Sequence, residues 1–182
     1  MKKTIFFLLA IICQQLYSQE FMGIAPEGKP DVVLANFQKK GFKLKAKKVN
    51  HIQMDGMLNN TPVELFAFFT PISGVCWKLV VYFPVQRNWV NIKQEYFDYR
   101  KVLMDKYGEP EKSYDFFVSP YYEGDGYEMS ALAIEKVHFQ SFWDNGVAIQ
   151  ISQFKQIKIS YENTITVQIM EEEENKIKNK NL

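Results

Sequence analysis

VCWKLVVYFPVQRNWVNIKQEYFDYRKVLMDKYGEP, residues 75–110, joins the most apolar strand-like run of the chain to a long helical pattern. Residues 75–83 are rich in β-branched and aromatic side chains, which is typical of a buried strand. Apolar and aromatic residues then recur at spacings of three and four, the period of a helix packed on a core, at Ile92, Tyr96, Tyr99, Leu103 and Tyr107. A strand therefore ends here and a new helix begins.

Both predicted helices have clear boundaries. Asn88 suits the N-cap of the long helix, and Gly108 followed by Pro110 ends it. An earlier, shorter helix is predicted to start at Pro30, because proline is well placed in a first helical turn. Gly41-Phe42 then provides a left-handed glycine cap and an apolar contact after it.

Strand-like runs follow each helix. We predict strands at 43–50, 51–58, 63–69 and 75–83 after the first helix, and at 113–119, 137–143, 147–152 and 155–161 after the second. Asp55-Gly56 is expected to interrupt the second run, and residues 127–136 suit either a helical turn or a strand. Asp144-Asn145-Gly146 predicts a hairpin, because Asn-Gly readily takes positive φ.

The order predicts an α+β fold made of two successive helix-then-antiparallel-strands units, at about 21–84 and 88–163. Both helices are expected to pack on one face of a sheet. The amphipathic strands would leave the other face to solvent or to a partner.

The ends of the chain differ from this central domain of residues 19–163. Lys2 and Lys3 precede an apolar run that ends at Cys13, and residues 1–18 are predicted to be a signal peptide cleaved after Ser18. The protein is then exported, to the periplasm or outside the cell, with membrane association only if Cys13 is lipidated. Residues 164–182 are predicted to be a charged tail, helical but solvated, with Glu172–Lys176 and Glu174–Lys178 pairs.

Composition excludes several functions. A net charge of +1 argues against a nucleic-acid partner. Cys76 lies in an apolar run and is interpreted as a small buried hydrophobe. His51 and His138 are not at metal-ligand spacing from a cysteine or carboxylate. No Ser/His/Asp pattern, phosphate loop or Cys-X-X-Cys occurs, so we predict no catalytic residues, no cofactor and no metal, while paired carboxylates that meet only in the fold stay open.

The loop at residues 121–128 is the first candidate binding site. Tyr121, Tyr122 and Tyr127 stand beside flexible glycines, a composition typical of protein-binding loops. Its carboxylates, Glu123, Asp125 and Glu128, suit either Ca²⁺ ligation or an ordinary mobile turn.

A lysine run is the second candidate site. Lys43, Lys45 and Lys47 alternate, and are expected to share one strand face that could bind an anionic lipid head group, a glycan or an acidic protein. An edge strand protected from aggregation by lysine explains the same pattern.

Several short motifs resemble those of small exported bacterial proteins without known function. They are Phe-Met-Gly-Ile at residues 21–24, Lys40-Gly41-Phe42, Val-Val-Tyr-Phe-Pro at residues 80–84, Trp89, and Lys-Tyr-Gly-Glu-Pro at residues 106–110. The layout is similar to the beta-lactamase inhibitor protein and to the small outer-membrane assembly lipoproteins of the SmpA/OmlA type. This resemblance implies a protein-binding role rather than catalysis, and its contact residues do not transfer to positions here.

We therefore predict an exported, non-enzymatic binding module for an unidentified envelope or extracellular protein, acting as an inhibitor, an immunity protein or an assembly factor. The alternative is a small-molecule, glycan or lipid-binding protein with a pocket between sheet and helices.

Overall fold

A computed structural model describes residues 19–180 of the chain. The elements in chain order are α1 (Pro30–Lys39), β1 (Lys43–Lys47), β2 (His51–Leu58), β3 (Thr61–Phe69), β4 (Cys76–Tyr82), α2 (Trp89–Tyr107), β5 (Lys112–Phe117), α3 (Glu128–Ala133), β6 (Val137–Phe142), β7 (Val147–Ile151), β8 (Ile157–Glu162) and α4 (Thr164–Lys180). The predicted leader, residues 1–18 with Cys13, lies outside the described residues.

The strands form one eight-stranded antiparallel sheet in the order β1-β2-β3-β4-β8-β7-β6-β5. Strands β1 to β4 and strands β5 to β8 are two meanders, and the pairing of β4 with β8 joins them. The predicted α+β class is confirmed. The predicted order of two helix-then-strands units is matched only in part, because α3 separates β5 from β6 and α4 follows β8.

One face of the sheet lies beneath α1 and α2 and forms the core; we call it the helix face. Helix α1 contacts β1 and β2, and α2 contacts β7 and β8. Alternate strand residues on this face are buried, among them Ile52, Met54, Leu65, Leu79, Val81, Ile149 and Ile159. Since side chains alternate between the two faces of a strand, the intervening residues point to the opposite side.

The predicted helix boundaries are confirmed by their hydrogen bonds. Gly41 has φ 89°, and the N–H groups of Gly41 and Phe42 donate to Gln38 and Phe37, the pattern of a Schellman cap. The Asn88 side chain accepts a 2.8 Å hydrogen bond from the Asn91 N–H at the start of α2.

Strand β2 contains a glycine for steric reasons. The expected interruption at Asp55-Gly56 is wrong, because β2 runs unbroken from His51 to Leu58 and pairs with β3 throughout. A Cβ atom at position 56 would lie 2.4 Å from the ring of Phe42, which is 2% exposed. Gly56 therefore marks the close approach of a core aromatic ring to the strand backbone.

Helix α4 is attached to the rest of the fold by a buried glutamate. The Glu173 carboxylate accepts hydrogen bonds from the Ile72 N–H at 2.7 Å and the Ser73 N–H at 3.0 Å, in the turn between β3 and β4. Burial opposes ionisation of Glu173, but hydrogen bonds from Ser73 and from the turn backbone outweigh it and lower its pKa. The Glu174–Lys178 pair is also present, so this segment is a docked helix with a largely solvated surface.

No helix within residues 19–180 combines the length and the apolar character that a membrane span requires.

We expect Gly56→Ala to lower the free energy of unfolding by about 1–3 kcal/mol, because the added methyl group must displace the buried Phe42 ring. Urea denaturation measures the change. Asp55→Ala is the matched control, since Asp55 is an exposed neighbour. Equal stability of Gly56→Ala and the wild type would contradict the packing argument.

We expect Glu173→Gln to release α4, because a neutral amide binds the two N–H groups more weakly than a carboxylate does. Amide hydrogen exchange should accelerate in α4 and in residues 70–75, with a stability loss of about 1–3 kcal/mol. Because the folded pKa lies below the ordinary 4.5, this stabilisation is complete above about pH 4.5 and is lost as the pH falls through the lowered pKa.

The control is Glu172→Gln, the exposed neighbour on the same helix. Equal exchange in the two variants would show that the carboxylate does not hold α4.

Candidate functional site

The face opposite α1 and α2 carries the most distinctive surface of the molecule; we call it the open face. One row of residues crosses the sheet in register on this face: Phe66, Val80, Ser160, Ala148 and Phe142. Neighbouring strands are about 4.8 Å apart, so the two phenylalanines stand about 19 Å from each other. Three small residues therefore separate two aromatic ends.

The first aromatic cluster lies on β2, β3 and β4. Phe66 and Phe68 stack with ring centroids 6.2 Å apart, and each lies within 6 Å of His51. Tyr82 meets Phe66 edge to face at 5.6 Å, and Trp77 lies 6.4 Å from Phe68. All of these side chains are partly exposed rather than buried in the core.

The second aromatic cluster lies on β5 and β6, at the other end of the open face. Phe116 and His138 are paired across the strands with ring centroids 5.0 Å apart, and Tyr114 contacts Phe116 and Phe142. Tyr114 is 40% exposed and Phe116 is 47% exposed. Exposed aromatic side chains of this kind supply much of the binding energy in protein interfaces.

Charged side chains occupy the middle of the open face. Lys78 and Glu162 are directly opposite each other on β4 and β8 and form an ion pair. Lys158 lies on the same face, opposite Tyr82 on one side and Gln150 on the other. Beside these long side chains, Val80 and Ser160 in the middle of the row are buried, at 2% and 7% exposure.

Lys158 lies in the middle of the open face, without an anion paired with it in the described part of the chain. It is partly buried, and among residues 19–180 no carboxylate forms an ion pair with it within 4.0 Å. Burial and the nearby Lys78 lower the pKa of Lys158, and Glu162 offsets this only in part. A partly desolvated cation without a paired anion is unfavourable in the free protein, and such groups concentrate at binding sites.

The lysines of β1 do not share one face, which corrects the expectation for Lys43, Lys45 and Lys47. A register shift between Leu44 and Ala46 changes the alternation. Lys43 is opposite Asp55 on the open face. Lys45 forms ion pairs with Asp55 and Glu64 on the same face. Lys47 is instead paired with Asp31 of α1 at 2.9 Å, on the helix side.

Hydrogen bonding to Glu64 raises the pKa of Lys45. These lysines therefore lie on an edge strand with carboxylates already beside them, as in strands protected against edge-to-edge association.

The loop at residues 121–128 is attached to α2. Its Glu123 carboxylate accepts hydrogen bonds from the Trp89 indole N–H at 3.2 Å and from Lys93, both on α2. Hydrogen bonds from Lys93 and Trp89 lower the pKa of Glu123. Trp89 itself packs on Phe139 of the helix face.

The other loop carboxylates shape the loop itself. Asp125 accepts hydrogen bonds from the backbone N–H groups of Tyr122 and Tyr127 at 3.1 and 2.7 Å, and Glu128 accepts one from Gly124 at 2.9 Å. No group of three or more His, Cys, Asp or Glu residues within residues 19–180 is arranged to hold a metal ion.

The three loop tyrosines are not equivalent. Tyr121 packs against the core, whereas Tyr122 is 64% exposed and Tyr127 is 63% exposed. Tyr122 and Tyr127 are therefore the two loop tyrosines that a partner can reach.

Cys76 is buried with 0% exposure, which confirms the interpretation from the sequence. Burial raises the pKa of its thiol to about 12, so the nucleophilic thiolate is scarce near neutral pH.

A polar network lies between α2 and the strands β5 and β6. The Tyr96 hydroxyl and Ser141 are 2.8 Å apart, Ser113 lies 2.9 Å from Ser141, and Arg100 donates to Asp115 at 3.2 Å. Burial raises the pKa of Tyr96 to about 12. These bonds attach α2 to β5 and β6.

We expect Glu123→Ala to loosen the loop, because its side-chain attachment to α2 is lost. Amide hydrogen exchange should accelerate in residues 121–126 and Trp89 fluorescence should change, with a stability loss of about 1 kcal/mol or less for this surface position. Unchanged exchange in the loop would contradict the attachment.

Comparison with protein-family models, with curated proteins and with solved structures gives no match to this chain. The resemblance to small exported bacterial proteins, to the beta-lactamase inhibitor protein and to the assembly lipoproteins therefore stays a prediction.

Proposed function

We propose that this chain is a non-enzymatic protein-binding module that uses its open face to bind a partner presenting an acidic side chain within an apolar surface. One observation carries the proposal: Lys158, partly buried and without a paired carboxylate, lies between two aromatic clusters in the middle of the open face. Export to the periplasm or the cell exterior belongs to the same proposal.

The charge at the centre favours this function energetically. The fold has already removed part of the water from Lys158, so a partner carboxylate gains a charge-assisted hydrogen bond with little further desolvation of the lysine. Tyr82 and Gln150, on either side of Lys158, provide polar groups that orient the incoming carboxylate.

The aromatic clusters supply apolar contact area on both sides of this charge. An interface with a central anchor and aromatic side chains around it is the arrangement in which a few residues dominate affinity. Two equivalent helix-then-strands units would account for an aromatic cluster at each end of the sheet, because α1 precedes β1–β4 and α2 precedes β5–β8. The resemblance to protein-binding folds agrees with this reading.

The exposed loop residues Tyr122 and Tyr127 are assigned a separate surface in this proposal. They are exposed on a loop whose Glu123 is attached to Trp89 of α2. The loop therefore provides an internal control for the open face.

We expect Lys158→Glu to weaken partner binding by about tenfold or more, because it places two like charges in contact. Phe116→Ala should weaken binding through loss of apolar contact. The test is affinity capture from envelope and cytoplasmic fractions of the cells that produce the protein, followed by measurement of Kd for the captured protein with each variant.

The matched control is the double variant Tyr122→Ala with Tyr127→Ala, which removes two exposed aromatic side chains from the loop. Full binding by the control and loss with Lys158→Glu supports the proposal. Loss in the loop variant with retention in Lys158→Glu would overturn it, and so would the absence of any specific partner. A partner found only in the cytoplasmic fraction would overturn the export part.

A further inference from the structure

The helix face contains an apolar cavity between α2, the sheet and the N-terminal segment. Helix α1 packs on β1 and β2, and α2 on β7 and β8, while Phe21 of the N-terminal segment lies in the core beside them. Phe21 of that segment contacts Phe37, Phe42 and Tyr161. A cavity of about 290 Å³ remains between this segment, the sheet and α2.

The walls of the cavity are mainly apolar, and Glu20, Asn59 and Lys106 are the polar residues at its rim. The sheet side of the cavity is formed by the buried residues Val81, Phe83 and Ile159. Helix α2 forms the opposite wall with Tyr99, Val102 and Leu103. Val102 is 61% exposed and therefore lies at the mouth. A larger depression of about 550 Å³ beside α1 is lined mainly by charged and small residues and lacks such walls.

A small number of polar groups converge on the same cavity. Lys106 lines it, and its ammonium group donates to the backbone oxygen of Glu20 at 3.3 Å. The Tyr161 side chain also lines it and is 6% exposed. Burial, together with the neighbouring Tyr107, raises its pKa, so the hydroxyl stays protonated and can donate.

Two turns that border the cavity hold left-handed backbone conformations. Met22 has φ 55° and Asn59 has φ 46°, and both residues line the cavity. A positive φ is common for asparagine in a hairpin turn but costly for methionine. Strained backbone of this kind concentrates where a ligand is held.

We propose that this cavity binds a medium-chain fatty acid, with the acyl chain between α2 and the sheet and the carboxylate at Lys106. An apolar cavity of about 150 Å³ accommodates benzene, so about 290 Å³ accommodates roughly twelve non-hydrogen atoms, the size of decanoate. Lys106 supplies the positive charge for the head group, and the Tyr161 hydroxyl supplies a donor within the walls. Ligand pockets typically combine an apolar lining with such sparse polar groups.

Isothermal titration calorimetry with decanoate, octanoate and decanol at pH 7.5 tests the proposal. We expect saturable decanoate binding with a Kd below about 1 mM, and octanoate about tenfold weaker because its chain buries two methylene groups fewer. Decanol, which lacks the negative charge, should bind more weakly than decanoate. In Lys106→Gln the preference for decanoate over decanol should disappear, whereas Lys101→Gln, at a position of α2 that does not line the cavity, should retain it.

A blocking variant locates the site. Val102→Trp should abolish decanoate binding by filling the mouth, and Val90→Trp, at a 74% exposed position of α2 that does not line the cavity, should leave it unchanged. Lys158→Glu on the open face should also leave it unchanged, which separates this inference from the proposed protein interface.

Absence of binding up to 1 mM, equal effects of the two tryptophan variants, or a preference for decanoate that survives Lys106→Gln would each overturn the proposal.

Discussion

The antiparallel pairing of β4 with β8 is the contact on which the rest of the molecule depends. It joins residues about eighty positions apart, with Lys78 opposite Glu162 and Val81 opposite Ile159, and turns two meanders into one sheet. Closing so long a loop costs chain entropy, which only a large buried area can offset. Val81, Ile159 and Tyr161 provide that area, since all of them lie in the core beneath the helices.

The same two strands also separate the two proposed sites. Val81 and Tyr161 point to the apolar cavity, whereas their neighbours Val80 and Ser160 form the floor of the open face. Because side chains alternate with a period of two, a slip of one residue in this pairing would exchange the two faces. The Lys78–Glu162 ion pair helps to prevent such a slip, since another register would leave both charges partly buried without a partner.

Local features of the chain were predictable because neighbouring residues determine them. The caps at Gly41 and Asn88 and the hairpin at Gly146, with φ 83°, occur where the sequence places them. Gly56 does not interrupt its strand as the sequence predicts. A glycine is required there because the Phe42 ring packs against the strand, and this contact forms only in the folded chain. The prediction that Lys43, Lys45 and Lys47 share one strand face is wrong for a similar reason, since the register shift of β1 depends on its pairing with β2.

The sequence by itself determined the α+β class, the positions of α1 and α2, and the presence of strands with one apolar and one mixed face. These features were predictable because periodicity and capping are local properties. Only the tertiary structure decided which residues share a surface. It attached the loop at residues 121–128 to α2 through Glu123. It also brought aromatic residues of β3 and β6 onto one face, about 19 Å apart, with Lys158 between them. Those relations depend on strand order and register, which are set by contacts between residues far apart in the chain.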